Sequence, residues 1–399
     1  MRSINGSAVN PFDRLEPMAY TQLSLPIANW PARSGRVPSL DGVRAMSVAL
    51  VLVGHMLLPA SLVGISALGL KTFFFISGFL IARLLLAEEK ATGRISLLGF
   101  YTRRVLRLYP VLIVYVSLVV AVSLARGIAV HAIDVASVFL YFVNYLVIHY
   151  DSLGQTMPLP VAMLWSLSVE EHFYLIAPLA LVLCRGSARR MLVVALSICG
   201  LSLFLRVLYA FIEPDIINGL ELYWRSETRF DCIAFGVVLA CLPELAVGRR
   251  LIQTLTSRFW FAAGALLMAG SFLVRDDYFQ LTWRFTLQSL ALFPLMIGVI
   301  FAEPFRGINR LLNHRLVAWV GALSYSLYVW HGGVAFFWGR WLHALPAPLI
   351  SAAELCVAFF LAVLSYYLVE RPVMQWRKKK MRHADTARKS DVLPTASGS

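Results

Sequence analysis

Eleven long apolar runs constrain this chain more than any motif in it. They lie near residues 44–63, 66–87, 105–125, 133–150, 161–183, 191–212, 230–246, 259–275, 284–303, 316–338 and 348–369. A run of about 18 residues or more can cross the hydrocarbon of a bilayer as a helix, whereas a membrane-spanning strand needs only about 10. Inside hydrocarbon the backbone must satisfy its own hydrogen bonds, which leaves helices for runs of this length. The expected fold is all-α and polytopic. Composition agrees: 59% of the 399 residues are hydrophobic and 15% charged, against roughly 25% charged in soluble domains. An ordinary soluble enzyme is excluded.

Charge then orders the runs. The chain carries 36 Lys and Arg against 22 Asp and Glu, a net charge of +14. In a soluble protein that excess would point to nucleic acid. In a polytopic one it collects in cytoplasmic loops, so no nucleic-acid partner is expected. If all eleven runs crossed from a cytoplasmic N-terminus, Arg185, Arg189 and Arg190 would lie outside, as would Arg249, Arg250 and Arg258, then Arg306, Arg310 and Arg315. The run 133–150 is short and carries Asn144 in its middle, with His149 and Asp151 at its end. If it enters and leaves on the outer face, every basic loop and both termini fall inside, and the outer loops 151–160 and 341–347 hold no Lys or Arg. The prediction is ten crossings of a cell membrane, inner or plasma, with 133–150 re-entrant or interfacial and bordering protein or a wet cavity.

The flanks read differently. Residues 1–38 are polar, contain Pro11, Pro17, Pro26, Pro31 and Pro38, and lack the apolar core of a signal peptide. They are expected to form a flexible cytoplasmic extension ahead of a membrane domain over 39–372. The tail 373–399 holds Arg377-Lys378-Lys379-Lys380 and suits a juxtamembrane anchor on anionic lipid. Cys184, Cys199, Cys232, Cys241 and Cys356 form no CxxC and no Cys/His cluster with metal spacing, so they read as small apolar residues. No metal or resident cofactor is expected.

Ionisable groups at membrane depth are costly and mark function by default. Arg44 and His55 are eleven residues apart on the first run. At about 100° per residue they share a face, with an offset of about 16 Å. Arg44 then sits at the cytoplasmic edge and His55 near the midplane, and His331 lies about 22 Å into its own helix by the same rise. Lys71 precedes Phe73-Phe74-Phe75-Ile76-Ser77-Gly78, where the Ser-Gly pair reads as a helix break; snorkelling to the headgroups is its plainer reading. Arg104 and Arg107, three apart, share a face and match phosphate geometry, although simple anchoring would place them there too. Glu170, Glu171 and His172 follow Trp165 inside one run, where unpaired carboxylates would be unstable and a partner is expected. An ion pair that fixes helix register is the structural alternative. Asp231 follows Arg229 and Phe230 at a helix start. There is no GxSxG, HExxH or P-loop motif, which leaves serine-triad hydrolysis, zinc chemistry and ATP use unsupported.

Several of these stretches, in this order, resemble the acyltransferase 3 family of bacterial-type membrane O-acyltransferases. Ser39-Leu40-Asp41-Gly42-Val43-Arg44-Ala45 with His55 is similar to its first helix. Phe73 through Ile81 is similar to its second signature, and Phe100-Tyr101-Thr102-Arg103-Arg104-Val105-Leu106-Arg107 to its Arg-x-x-Arg motif. Trp165 through Tyr174 resembles a fourth signature, with His172 where Gln is more usual. Arg229-Phe230-Asp231 through Gly236, Ser324 through His331, and Glu370-Arg371-Pro372 complete the series, which covers residues 38 to 372.

The resemblance implies an acyl-CoA donor on the cytoplasmic side and an acceptor hydroxyl, often on a glycan or other glycosylated compound, with acyl-CoA a co-substrate rather than a cofactor. It implies His55 as general base, Glu170 or Glu171 as the carboxylate that orients it, and Arg44, Arg104 and Arg107 on the donor's phosphates. Lys71, Ser77, Trp165, Asp231 and His331 are left for the oxyanion or the acceptor. Some relatives carry a C-terminal periplasmic hydrolase-like domain; here a basic tail follows Pro372, so either the membrane unit completes the transfer or a separate periplasmic partner does. Two other classes compete. A proton-coupled exporter of a glycan or small molecule would also use His and Glu at the midplane, but the repeat with paired broken helices common in transporters is missing. A sensor or scaffold on an inactive version of the fold would not need the His55 and carboxylate constellation.

Overall fold

A computed structural model describes residues 37–58, 64–301, 305–338, 346–377 and 379–380. Most of the expected N-terminal extension and basic tail lies outside the described residues. Among those described there is no strand. The membrane unit opens with α1 (Leu40–Leu52), which runs on through a π-helical turn over Val53–Leu57. It continues with α2 (Gly64–Thr92), α3 (Leu97–Ala125), α4 (Ala132–Phe139), α5 (Val143–Ser152), α6 (Trp165–Leu183) and α7 (Ala188–Ile212). Then follow α8 (Phe230–Cys241), α9 (Ala246–Leu255), α10 (Arg258–Gly270), α11 (Trp283–Phe301), α12 (Arg306–Leu312), α13 (Arg315–Trp338) and α14 (Ala347–Ser365).

Seven described helices are long and apolar enough to cross a membrane, and the chain reads as a multi-pass membrane protein. They are Leu40–Leu57, α2, α3, Ala162–Leu183, α7, α11 and Ala347–Arg377; an eighth is added if α8 and α9, which meet at 111°, form one broken span. Ten crossings would need α10 and α13 as well. At 13 residues α10 is short for a span. At 24 residues α13 is long enough, but Ser324, Tyr325, Ser326, Tyr328 and His331 dilute its apolar character. The 133–150 run folds as two short helices, α4 and α5, each no more than about half the length a bilayer needs. Tyr141 takes a positive φ of 56° at the turn between them. The buried Asn144 amide donates to the Trp224 carbonyl at 3.2 Å and to Ser226 Oγ at 3.0 Å. Tyr150 Oη donates to the buried Asp134 at 3.0 Å. The polar residues of the run thus bond to protein.

Local chemistry explains where several helices begin. Ser96 Oγ accepts from Gly99 N at 3.2 Å and Ser187 Oγ from Arg190 N at 3.4 Å, so α3 and α7 start on side-chain caps. The α8–α9 corner lies at Leu242-Pro243-Glu244, and Glu244 pairs with Lys90 at 2.7 Å, tying it to the end of α2.

The core is centred on α2, where Phe74, Phe75, Phe79 and Leu85 are at most 1% exposed. Three glycines let backbones meet. A Cβ on Gly78 would lie 1.9 Å from Ile233 O, and one on Gly236 1.9 Å from Phe75 O, where α2 crosses α8. A Cβ on Gly321 would lie 1.8 Å from Asp41 O, which joins α13 to the start of α1. Membrane helices use small residues in this way because lipid tails supply no hydrophobic force to bring them together. The expected break at Ser77-Gly78 is absent, since α2 runs unbroken through both residues. Gly78 serves a close helix contact instead.

Candidate active site

The π-helical turn at the end of α1 sets the site. Leu58 N bonds to Val53 O at 3.1 Å, an i→i+5 closure. The wider turn rotates His55 away from the phase that ideal α geometry assigns it, and π-turns concentrate at functional positions. His55 Nδ1 lies 3.3 Å from His331 Nε2 on α13, and the rings stack at 5.4 Å and 7°. His331 is 1% exposed, and its Nδ1 lies 2.5 Å from the Tyr328 carbonyl. A carbonyl only accepts, so His331 Nδ1 carries the proton and its Nε2 offers a lone pair. His55 must then donate through Nδ1. Its Nε2 keeps a lone pair on a side chain that faces open space.

That space is a cavity of about 830 Å³, the outer one by the loop-charge prediction, lined by His55, Trp165, Tyr223, Arg275, Arg284 and Tyr328 among others. At the other end of α1 a second cavity, of about 260 Å³, is lined by Arg44, Arg103, Arg104, Arg107 and Arg377, with Ser77 and Glu170 and many apolar side chains. Leu70 and Tyr328 line both cavities. The two spaces therefore abut at these side chains, and the histidine pair flanks the junction. Tyr328 Oη donates to the Met163 carbonyl at 2.6 Å and shares a hydrogen bond of 2.5 Å with Ser166 Oγ.

The arginine cavity is organised by acids. Arg104 bonds to Glu171 and lies over the Tyr174 ring at 3.6 Å. Arg103 pairs with Glu88 at 3.0 Å, and Arg377 donates to the Arg103 carbonyl at 3.2 Å. Glu170 accepts from Ser77 Oγ and, at 2.8 Å, from Tyr174 Oη. Both carboxylates bond to other groups, and the imidazole is oriented by His331. The expectation that Glu170 or Glu171 holds it fails for a simple reason: both sit among the arginines at the far end of α1.

Two other expected site residues belong elsewhere. Lys71 is 1% exposed, donates to Gln288 Oε1 and lies 4.3 Å from the Phe285 centroid; it lines neither cavity and does not snorkel. Asp231 is fully buried and pairs with fully buried Arg206 at 2.7 Å, with Thr286 Oγ1 donating to it at 2.8 Å. Both form a polar cluster behind the outer cavity. Sequence reading passed over Arg206, Arg284, Gln288 and Tyr328; an Arg in the middle of the 191–212 run was the available signal for the first. His172 Nδ1 lies 2.7 Å from Ser226 Oγ, which joins α6 to the same loop that Asn144 holds. In that region, outside the spans, burial and the hydrogen bond to Glu227 push the Tyr145 phenol up to about 12. Among the described residues no group of three His, Cys, Asp or Glu could hold a metal.

Comparison with known proteins agrees with this architecture. The family model described as an acyltransferase domain matches residues 37–371. O-acetyltransferase OatA of Staphylococcus aureus strain NCTC 8325 is 30% identical over 357 residues, 86% of this chain and 57% of that protein. A putative O-acetyltransferase of Staphylococcus aureus strain COL is 29% identical over 350 residues, 84% of this chain and 57% of the relative. The chain thus spans little more than half the length of these relatives. No solved structure matches. With the family model covering nearly the whole of the described membrane unit, and a histidine pair set where two cavities meet, the chain belongs to the acyltransferase 3 family.

Proposed function

We propose that this protein is a membrane O-acyltransferase that moves an acetyl or other short acyl group from acyl-CoA to a hydroxyl of a sugar. The observation that carries the reading is the His55–His331 hydrogen bond, which leaves Nε2 as the free nitrogen of a side chain that lines the outer cavity beside its junction with the arginine cavity. The positive-inside distribution supports a cytoplasmic arginine cavity with both termini inside. Arg44 and Arg107 there match the phosphates of CoA, while Arg104 is shared with Glu171. The apolar walls suit a short acyl-pantetheine arm directed at Leu70 and Tyr328. The acceptor enters from the outer cavity.

The chemistry follows from the geometry. A sugar hydroxyl has a pKa far above neutrality and attacks a thioester slowly without a base. His55 Nε2 takes the hydroxyl proton as the oxygen bonds to the thioester carbon. The imidazolium that forms shares its Nδ1 proton with His331, whose charge is in turn spread to the Tyr328 carbonyl. When the tetrahedral intermediate collapses, the C–S bond breaks and the proton passes to the CoA sulfur. His331 therefore takes the part that a carboxylate plays in a triad. His55→Ala is expected to abolish transfer from labelled acetyl-CoA to an added glycan while the protein stays folded in detergent. Unchanged turnover would remove His55 from the mechanism.

A further inference from the structure

The wall of the outer cavity hides more positive charge than it balances. Three cations meet the ring of Phe285, a residue that lines the cavity: Arg229 at 4.0 Å, Lys71 at 4.3 Å and Arg206 at 5.5 Å from its centroid. All three are at most 1% exposed. Asp231 pairs with Arg206 alone. Lys71 has a neutral amide, Gln288, as its acceptor. Arg229 is fully buried, yet none of its three guanidinium nitrogens has a hydrogen-bond acceptor among the described residues; it is held against Phe285 and, at 4.8 Å, Tyr223. Arg284 lines the cavity itself, and its buried Nε also lacks a partner. Arg275 stands exposed on the same lining, and Asp277 is the acid there.

We propose that the outer cavity selects an anionic acceptor: a sugar carrying a carboxylate or phosphate, held by Arg284 and Arg275. This rests on the acyl-transfer reading and narrows its acceptor class. Unpaired guanidinium groups in a low-dielectric wall are costly unless an anion meets them, and a charged cleft with such walls focuses its field on the ligand. Arg284 offers the direct contact, since a guanidinium fork matches both oxyanions. Arg229 lies behind the Phe285 ring and contributes through charge alone.

The test uses the full chain in detergent with labelled acetyl-CoA and three acceptors: methyl glucoside, methyl glucuronide and glucose 6-phosphate. The expected result is a kcat/KM at least about tenfold higher for one or both anionic sugars than for the neutral one, as a new charge-assisted contact gives. The two anionic arms show whether carboxylate or phosphate is preferred. Arg284→Gln should bring the ratio towards unity and Arg284→Lys should keep part of it. A second readout is thermal unfolding at fixed ionic strength. Glucuronate or inorganic phosphate should raise the Tm of the native chain above that in chloride, and the gain should vanish in Arg284→Gln. Equal kcat/KM for all three sugars in the native chain would overturn the proposal. If no sugar is acylated but the anion-specific Tm gain persists, the acyl-transfer reading fails and the anion site stands.

Discussion

A single backbone carbonyl decides which nitrogen of His55 is free. Because Tyr328 O takes the proton of His331 Nδ1, the order of donors along the pair runs one way only. His331→Ala should therefore lower kcat by about 10²–10⁴-fold, the range for a displaced base or its orienting partner, with little change in the KM for donor. The double variant with His55→Ala should lose no more than His55→Ala alone, because residues acting as a unit are not additive; single-turnover transfer measures both. Arg206 and Asp231 make a different statement. Each is fully buried, and Arg206 also donates to the carbonyls of Thr282, at 2.9 Å, and Thr228. Arg206→Gln should cost about 3–5 kcal/mol by leaving Asp231 uncompensated. Arg206→Met with Asp231→Leu should recover most of it, as followed by thermal unfolding in detergent.

At the scale of helices, the glycine contacts are the sharpest test of the packing. Gly236→Val would push a side chain into Phe75 O, 1.9 Å from its Cβ, and force α2 and α8 apart. A loss of about 3 kcal/mol or more is expected, at or beyond the usual range for overpacking. Gly200→Ala in α7 meets nothing within 4 Å and should be neutral or slightly stabilising. A Tm that fell equally for both would contradict the contact. These helices also show how far the sequence could be read. Run length and polarity predicted ten crossings. Of these, α1, α2, α3, α6, α7, α11 and α14 are long and apolar enough, with the bent α8–α9 pair as an eighth, while 259–275 and 316–338 fall short. Loop charge marked 133–150 as re-entrant or interfacial, and it folds as two short helices. Periodicity could not foresee the π-turn at Val53–Leu57, because one extra residue in a turn leaves no compositional trace. It also took Gly78 for a break, when the same absence of a side chain permits contact with Ile233. The pairing of His55 with His331 spans 276 positions and is a property of α1 lying against α13, not of either segment. Arg206 and Asp231, only 25 positions apart, likewise pair because α7 packs on α8.

Across the molecule, two cavities meet at Leu70 and Tyr328. The arginine cavity should govern the donor alone. Arg107→Gln is expected to raise the KM for acetyl-CoA about tenfold or more, the scale of one charge-assisted phosphate contact, with kcat nearly kept. A salt titration should show the same direction in the native chain, since screening weakens exposed charges first. An unchanged KM would remove Arg107 from donor binding.

The shared wall at Tyr328 also bears on electrical work. On the proposed route an acyl group leaves the inner compartment while a proton, passed through one imidazole, enters it on the thiol. Formally these are an acylium outward and a proton inward, and the exchange carries no net charge. Were the thiolate instead protonated from the cytoplasm, each turnover would export one charge against a potential worth about 2.3 kcal/mol per 100 mV. Turnover in vesicles clamped at different potentials should therefore be indifferent to voltage so long as the histidine pair and the wall beside it stay intact.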